Sequence, residues 1–538
     1  MNVPNENKQG WYLVKSYDGI SSLKSFLSEE IRFSEQYIDR KEHINYLEEY
    51  LEQLHASMMV IEKRYVDQGF LDDHAEYYIR CFHPYDKFCI RIHFFRELTQ
   101  TDFDFKSIFN QEAERRREIH HKLDECYLGF IVIKPIPDVF LGRTCLKTYA
   151  DKVDNSKDER FYISKKTNVC LFGFDLTILS IPFQEQDLII SRCATSALWS
   201  TFHKTSEVFQ HWIPSPIDIT RFATEKTSYR GRLIPNRGLT IEQISCAIRE
   251  IGLEPHLFDI KDNDLMTTFD VKGPIYAYLK ADIPVLMGVL LFKGKVDKKN
   301  FEGHHAITIT GFRTTNTYQE DDISGFLQES SSIIKLYAHD DQIGPYARME
   351  FQNGAFSTTW FKGTGIAVPT SIIVPVDKLI RISYKDVIGA IRDFDIIFEA
   401  LVRPKLQKVL SAINYEIDFR DKLRWDIYLA KVGDLKREIL NNISIDPERK
   451  HDILVSNMPK FLWVAKACSS DYEVFTILID ATDFPDGHLV LDFIEHVSYI
   501  TNDALRELIK NDQVSNWLNE GYSASKRIFD WMKEQFNS

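Results

Sequence analysis

Three residue types that together can cleave an amide bond occur in the middle of the chain, in the order cysteine, histidine, aspartate. Cys193 precedes the pair His304-His305, and the pair Asp340-Asp341 follows. A cysteine thiolate can attack a carbonyl carbon, a histidine can hold and return the proton, and a carboxylate can orient the imidazole. The order of these residues predicts nucleophilic catalysis by Cys193.

The sequence around Cys193 predicts a helix that begins just before it. Ser191 has the side chain of a common N-cap residue, and apolar residues recur after it at spacings of three and four. The positive end of the helix dipole favours a thiolate in the first turn, and the backbone N–H groups of that turn can donate to an oxyanion. The apolar residues of this helix face are Ala194, Ala197, Leu198 and Phe202.

The two histidines are predicted to lie on a strand. Alternation of side chains over residues 304–312 places His305 on one face with two isoleucines and His304 on the other, so one of the two points toward any given site. The next predicted strand runs from residue 333 and ends at Asp340 and Asp341. A carboxylate at that point can accept the imidazole N–H and fix its tautomer.

This ordered set resembles the papain-like cysteine peptidase superfamily. The most similar branch is the bacterial peptidases that remove double-glycine leaders from bacteriocins. In the superfamily the histidine lies six residues before a glycine that an aromatic residue follows, as His305 lies before Gly311, so the resemblance selects His305. The bacterial branch usually has Asn-Asp-Pro after the next strand, and the stretch that begins at His339 matches it at Asp340.

Two further stretches match the same branch in the same places. They are Gly238-Leu-Thr-x-x-Gln243, which carries a helix, and Ile283-Pro-Val-Leu286, which precedes the histidine strand. The resemblance covers roughly residues 175 to 350, about a third of the chain. It implies a triad in which Cys193 is the nucleophile, His305 the base and Asp340 the orienting carboxylate.

The chain departs from the superfamily pattern at two points. The glutamine of the oxyanion hole normally lies about six residues before the cysteine, but position 187 is Asp. Gln186 lies seven residues before Cys193 and Gln184 nine; we expect Gln186 to serve the oxyanion hole, with Gln184 as the alternative. The stretch Arg192-Cys193-Ala194 also replaces the usual Asp-Cys-Gly.

Helix and strand patterns predict an α+β, multidomain protein. The central domain, residues 156–385, is expected to have a papain-like core in which the Cys193 helix packs on an antiparallel sheet. An N-terminal α+β domain, residues 1–155, and a C-terminal α+β domain, residues 386–538, flank it, and neither has an assigned role. The two flanking domains are expected to select or restrain the substrate.

Residues 1–155 contain two local patterns with clear expectations. Helical periodicity over Leu23 to Tyr65 predicts a pair of helices. Two β-rich runs within Ala75 to Phe95, which flank the turn-like stretch 83–87, predict a hairpin.

Composition limits the partners. The 538 residues include 66 Lys and Arg against 79 Asp and Glu, a net charge of −13, which disfavours nucleic acid and leaves a protein or peptide as the expected partner.

No apolar run approaches the roughly 20 residues of a membrane helix, and the N-terminus does not have the pattern of a secretory signal. Eight scattered cysteines suit reduced thiols, so we expect a cytoplasmic protein. The resemblance to the bacterial branch implies a bacterial source. The sequence leaves the oligomeric state open.

The predicted function is a cysteine hydrolase that cleaves an amide or peptide bond without a cofactor or metal. Two alternatives remain open: a papain-like interaction module that has lost activity, and a papain-like deamidase or acyltransferase. One possible zinc site would use Cys81, His83, Cys89 and His93 as ligands. It is disfavoured because these ligands lack the usual Cys-x-x-Cys spacing and Pro84 lies in the turn between them.

Overall fold

The chain folds into two units that interleave along the sequence. The first comprises Met1–Asp259, Asp282–Arg313 and Lys335–Pro375, and the second comprises Ile260–Ala281, Thr314–Ile334 and Val376–Ser538. The structure is a computed structural model, and it describes residues 11–19, 22–29, 38, 41–136, 139–151, 157–187, 192–225, 238–260, 267–320, 325–352, 354–401, 403–404, 422–469, 472–484, 489–496, 509–510, 514, 516–518 and 523–537.

The first unit begins with a five-stranded antiparallel sheet of sequential strand order. Apolar cores cover both of its faces, and β4 is accordingly buried at every residue. The strands are β1 (Tyr12–Ser16), β2 (Ala56–Tyr65), β3 (Cys89–Arg96), β4 (Tyr127–Ile133) and β5 (Leu141–Leu146). Helices over Ser22–Glu29, Glu42–Gln53, Gln68–Glu76, Phe105–Ile108 and Ala113–Cys126 join or cover the strands.

Two local predictions for this region are wrong. The helical pattern was expected to extend to Tyr65, but Ala56–Tyr65 is strand β2, whose buried apolar run pairs with strands on both sides. The expected hairpin in Ala75 to Phe95 is also absent from the structure: Gln68–Glu76 is a helix, and β3 pairs with β2 and β4 instead. In both places long-range strand pairing overrides the local pattern.

A second sheet of the first unit carries the predicted site. Its strands are β9 (Leu253–Asp259), β10 (Val285–Lys293), β11 (Phe301–Thr314), β13 (Ile333–Asp340), β14 (Gly344–Gln352), β15 (Ala355–Thr358) and β16 (Gly365–Asp377), and β6 (Glu159–Tyr162) pairs with β11. Because β10 pairs with both β11 and β16, the six strands β10, β11, β13, β14, β15 and β16 form a closed circuit. A separate hairpin, β7 (Lys166–Leu171) and β8 (Phe174–Leu179), packs in a core of the N-terminal sheet.

Three helices accompany the closed sheet: Cys193–Phe209, Pro216–Glu225 and Ile241–Glu250. The first of these, which we call the Cys193 helix, packs its apolar face against Leu286 of β10 and Ile373 of β16. The hydroxyl of Thr308 on β11 donates to the carbonyl of Ala197 in the same helix at 2.7 Å. The Cys193 helix therefore packs on antiparallel strands of this sheet.

The second unit is built on a five-stranded sheet in the order β12-β17-β18-β19-β20, in which only the β12–β17 pair is parallel among the pairings described. These strands are β12 (Leu327–Gln328), β17 (Arg424–Lys431), β18 (Phe461–Ser469), β19 (Tyr472–Asp480) and β20 (Val490–Glu495). Its helices are Thr267–Leu279, Tyr384–Leu401, Val432–Asn441, Pro447–Val455 and Lys526–Asn537.

The α+β class is thus confirmed, but the two units do not coincide with the three predicted domains. The expected boundary at residue 155 lies inside the first unit, because the aromatic side chains of Tyr337 and Tyr346 enter a core of the N-terminal sheet. Two segments of the predicted central domain, 260–281 and 314–334, belong to the second unit. A sequence pattern does not reveal such interleaving, since it depends on pairing between distant strands.

Within the described residues, none of the helices has the length and apolar character needed to cross a membrane.

Gly129 allows the backbone of β4 to lie close to that of β5. Its φ is +116°, and a Cβ there would lie 2.0 Å from the backbone oxygen of Cys145. We expect Gly129→Ala to lower the free energy of unfolding by about 2–4 kcal/mol, measured by urea denaturation. Gly173→Ala is the matched control, since its φ is +94° but its Cβ meets no atom within 4 Å, and about 1–2 kcal/mol is expected. Equal losses in the two variants would contradict a role for the Cys145 contact.

Candidate active site

Cys193 is the first residue of its helix. Arg192 precedes it in extended conformation, and Ser191, the predicted N-cap, lies outside the described residues. The Cys193 side chain is partly exposed. A thiol at this position lies at the positive end of a 17-residue helix, where a thiolate is favoured and backbone N–H groups point away from the helix.

His305 lies on β11, opposite Val289 of β10. Its side chain is buried, whereas that of His304 is exposed, so the predicted alternation is confirmed. The Nε2 atom of His305 donates to Oδ1 of Asp340 at 2.9 Å. The structure therefore places the predicted base against the predicted carboxylate.

Asp340 ends β13 and is buried. Its Oδ2 accepts from the indole Nε1 of Trp360 at 2.6 Å, and its Oδ1 also accepts from the backbone N–H of Gln342 at 3.1 Å. Burial alone would raise the pKa of Asp340, but the charge of His305 and these hydrogen bonds hold it below its usual value. Asp340 is thus held as a carboxylate.

Burial also opposes the charged form of His305, but its partners outweigh that effect. The charge of Asp340, the hydrogen bond to it, a hydrogen bond with Cys193 and the charge of Asp341 raise the pKa of His305 well above its usual value. Because Nε2 is bonded to Asp340, Nδ1 is the ring nitrogen left for the thiol proton. The arrangement favours an imidazolium beside Cys193 at neutral pH.

Trp360 is a site residue that the sequence did not reveal. Besides donating to Asp340, its indole stands edge-on to the His305 ring, with centroids 5.0 Å apart. It begins a tight turn between β15 and β16 in which Phe361 and Lys362 both have positive φ, 52° and 58°. No local pattern links Trp360 to an aspartate 20 residues earlier; the β14–β15 hairpin brings them together.

Asp341 directly follows Asp340, the last residue of β13. Its Oδ1 lies 3.5 Å from Nε2 of His305, farther than that of Asp340, so Asp340 is the bonded carboxylate. Neither carboxylate oxygen of Asp341 has a hydrogen-bond partner among the described residues, so its side chain does not stabilise the turn. Burial raises the pKa of Asp341 to about 7.

The helix over Glu42–Gln53, which we call the Glu42 helix, also reaches this site. The Nε2 atom of His43 donates to the backbone oxygen of Asp341 at 2.7 Å. Lys41, just before the helix, forms a buried ion pair with Glu185, and Glu185 in turn accepts from the N–H of Leu141 at 3.2 Å. This N-terminal helix therefore holds the acidic turn and also the segment that leads toward Cys193.

The predicted oxyanion glutamine is not brought to the site by any contact of the described residues. Gln186 and Gln184 are both partly exposed, and neither forms a hydrogen bond with another described residue. The side chain of Asp187 is buried and accepts a hydrogen bond from the hydroxyl of Tyr78. The role of Gln186 stays a prediction, and residues 188–191 lie outside the described chain.

Among the described residues, one group has the spacing of a metal site, namely His305, Asp340 and Asp341. Hydrogen bonds from His305, Trp360 and Gln342 already reach the oxygens of Asp340, which suits proton transfer better than metal ligation. The disfavoured zinc set is not gathered, since His93 is buried between Glu62 and the Tyr127 hydroxyl.

Comparison with known proteins found no match: no family model matches the chain, and no curated protein matches it.

The hydrogen bond from Trp360 should support the reactivity of Cys193. Trp360→Phe keeps a ring beside His305 but removes the donor to Asp340, so we expect a loss of about 1.5–3 kcal/mol in unfolding free energy and slower alkylation of Cys193 at pH 7. Alkylation is measured by mass spectrometry of the Cys193 peptide.

Trp425→Phe is the matched control for this variant. The indole of Trp425 donates to Oδ1 of buried Asp395 at 2.7 Å in the second unit. A similar loss of stability with unchanged alkylation of Cys193 is expected. If the two variants slow alkylation equally, the effect comes from general destabilisation and not from the Trp360–Asp340 bond.

Proposed function

We propose that this chain is a papain-like cysteine hydrolase that cleaves an amide bond in a protein or peptide. The observation that carries the proposal is the buried, hydrogen-bonded pair of His305 and Asp340. Cys193 is the first residue of its helix, and its thiol contributes to the raised pKa of His305. A nucleophile, a base and an orienting group in this order are the parts that covalent catalysis requires.

In the proposed reaction the proton of Cys193 rests on His305, and the thiolate sulfur forms a bond to the substrate carbonyl carbon. The C–N bond then breaks as His305 gives the proton to the leaving amine. Water adds to the resulting thioester, its proton passes to His305, and the C–S bond breaks to release the acid and restore Cys193. Asp340 stays ionised throughout and keeps the imidazole oriented.

The oxyanion of each tetrahedral intermediate needs donors near the nucleophile. The backbone N–H of Cys193, at the start of the helix, is the proposed first donor, and the side chain of Gln186 is the proposed second. The same parts also support deamidation or acyl transfer, in which a side-chain amide is the substrate or an amine replaces water. A cytoplasmic protein or peptide substrate is proposed for all three reactions.

A second candidate function is an interaction module without activity. The observation that favours it is Asp187, which stands where the superfamily has its oxyanion glutamine and whose side chain accepts a hydrogen bond from Tyr78. Loss of one oxyanion donor typically lowers turnover by about 10²–10³-fold. In this case the Cys193–His305 pair would persist without efficient hydrolysis.

The pH dependence of iodoacetamide labelling tests the proposed nucleophile. We expect Cys193 to react well below pH 8.5, the usual pKa of a free thiol, and His305→Ala to abolish this low-pH reaction. Cys246→Ala is a matched control, because Cys246 is a partly exposed thiol inside the Ile241–Glu250 helix and away from its start. A Cys193 that reacts only after unfolding would rule out both hydrolysis and acyl transfer.

Substrates are tested by mass spectrometry of cell proteins with and without Cys193→Ala. New protein termini that require Cys193 support hydrolysis, whereas a mass change of about 1 Da at glutamine or asparagine supports deamidation. Reactive Cys193 with unchanged cell proteins favours the interaction module.

A further inference from the structure

The carboxyl group of Asp341 is an unusual feature of the site. It is buried, and neither of its oxygens has a hydrogen-bond partner among the described residues. Buried carboxylates are nearly always hydrogen-bonded or paired, because removal from water otherwise penalises their charge. Asp341 has no such hydrogen bond among the described residues, and the ion-pair contact that its carboxyl makes is with Nε2 of His305, 3.5 Å from its Oδ1. The role of this carboxyl is therefore tied to the histidine.

Burial and three neighbouring charged groups set the protonation state of the Asp341 carboxyl. His305 on β11 favours its ionised form, whereas the preceding residue Asp340 and Glu185 oppose it. His43 of the Glu42 helix donates to the backbone oxygen of Asp341 and not to its carboxylate. Glu185 is itself paired with Lys41, which reduces its effect.

Contacts with the Glu42 helix hold the backbone of the turn that begins at Asp341. The His43 bond holds its main chain, and the aromatic ring of Tyr46 packs against Gly344, where a Cβ would lie 2.3 Å from the ring. The Tyr46 hydroxyl also donates to the backbone oxygen of Pro345 at 2.8 Å. Because the turn is held on both sides of Asp341, the carboxyl cannot easily move to solvent when it loses its proton.

We propose that Asp341 is a second positioning carboxylate of the site, which helps Asp340 to hold the His305 imidazolium when it is ionised and withdraws that support when it is protonated. This inference rests on the proposed function, since it concerns the same histidine. Its consequence is that Cys193 becomes more reactive as Asp341 loses its proton.

The direction of the effect follows from the charges. Burial raises the pKa of Asp341 to about 7, so the group is mostly neutral at pH 6 and mostly ionised at pH 8. The added negative charge raises the pKa of His305 and so increases the share of the thiolate–imidazolium pair. Asp340, whose pKa is below its usual value, stays charged across this range and does not produce the same transition.

The test is the rate of iodoacetamide alkylation of Cys193 between pH 5 and pH 9, followed by mass spectrometry of the Cys193 peptide in the full-length protein. We expect the native chain to show a rise with an inflection near pH 7. Asp341→Asn should lack that inflection and react about tenfold more slowly at pH 8, which corresponds to a fall of about one unit in the pKa of His305. If Asp341→Asn does not fold, Asp341→Ser provides the same comparison.

Asp395→Asn is the matched control. Burial raises the pKa of Asp395 to about 7 as well, but its carboxylate is bonded to Trp425 in the second unit. This variant should keep the inflection of the native chain. An inflection that persists in Asp341→Asn, or a native profile without one, overturns the inference.

Failure of the inference differs from failure of the proposed function. A reactive Cys193 with the same pH profile in the native chain and in Asp341→Asn overturns the role of Asp341 alone. A Cys193 that is alkylated only after unfolding overturns the proposed function and this inference together.

Discussion

The buried ion pair between His305 and Asp340 is the interaction on which the rest of the site depends. Taking two charges out of water is costly, and their attraction offsets that cost only when the remaining polar atoms are also satisfied. Asp340 meets this condition through Trp360 and the backbone of Gln342. Since β11 and β13 are neighbours in the closed sheet, strand pairing sets the distance between base and carboxylate. Asp341 lies beside the same imidazole, but its carboxylate has no hydrogen bonds among the described residues. Asp340 therefore keeps its charge, whereas the charge of Asp341 changes with pH.

The N-terminal part of the chain belongs to this arrangement. The Glu42 helix holds the turn at Asp341 through His43 and is preceded by Lys41, whose partner Glu185 lies on the path toward Cys193. The sequence suggested a separate domain that selects substrates. The structure instead assigns the described residues of this region to the unit that contains the histidine and its carboxylates, and the Glu42 helix contacts the turn at the backbone oxygen of Asp341.

The features that the sequence predicted correctly depend on residues that are close together in the sequence. The stretch Gly238-Leu-Thr-x-x-Gln243 was expected to carry a helix, and a helix begins at Ile241 after a capping box of Thr240 and Gln243. Alternation along β11 distinguishes buried His305 from exposed His304. The parts it missed depend on distant pairing. Strand β2 has a buried apolar run that local periodicity did not distinguish from a helix. Trp360 and the Glu42 helix reach the site only because the chain folds back, and nothing in their local sequence points to His305.

The central claim is that Cys193 and His305 act as one unit, and a crystal structure of the native chain tests it most directly. The account predicts that the Sγ atom of Cys193 lies within hydrogen-bonding distance of Nδ1 of His305 while Nε2 remains bonded to Asp340. A thiol that points away from the ring, or an Nδ1 atom bonded to another group, would contradict it.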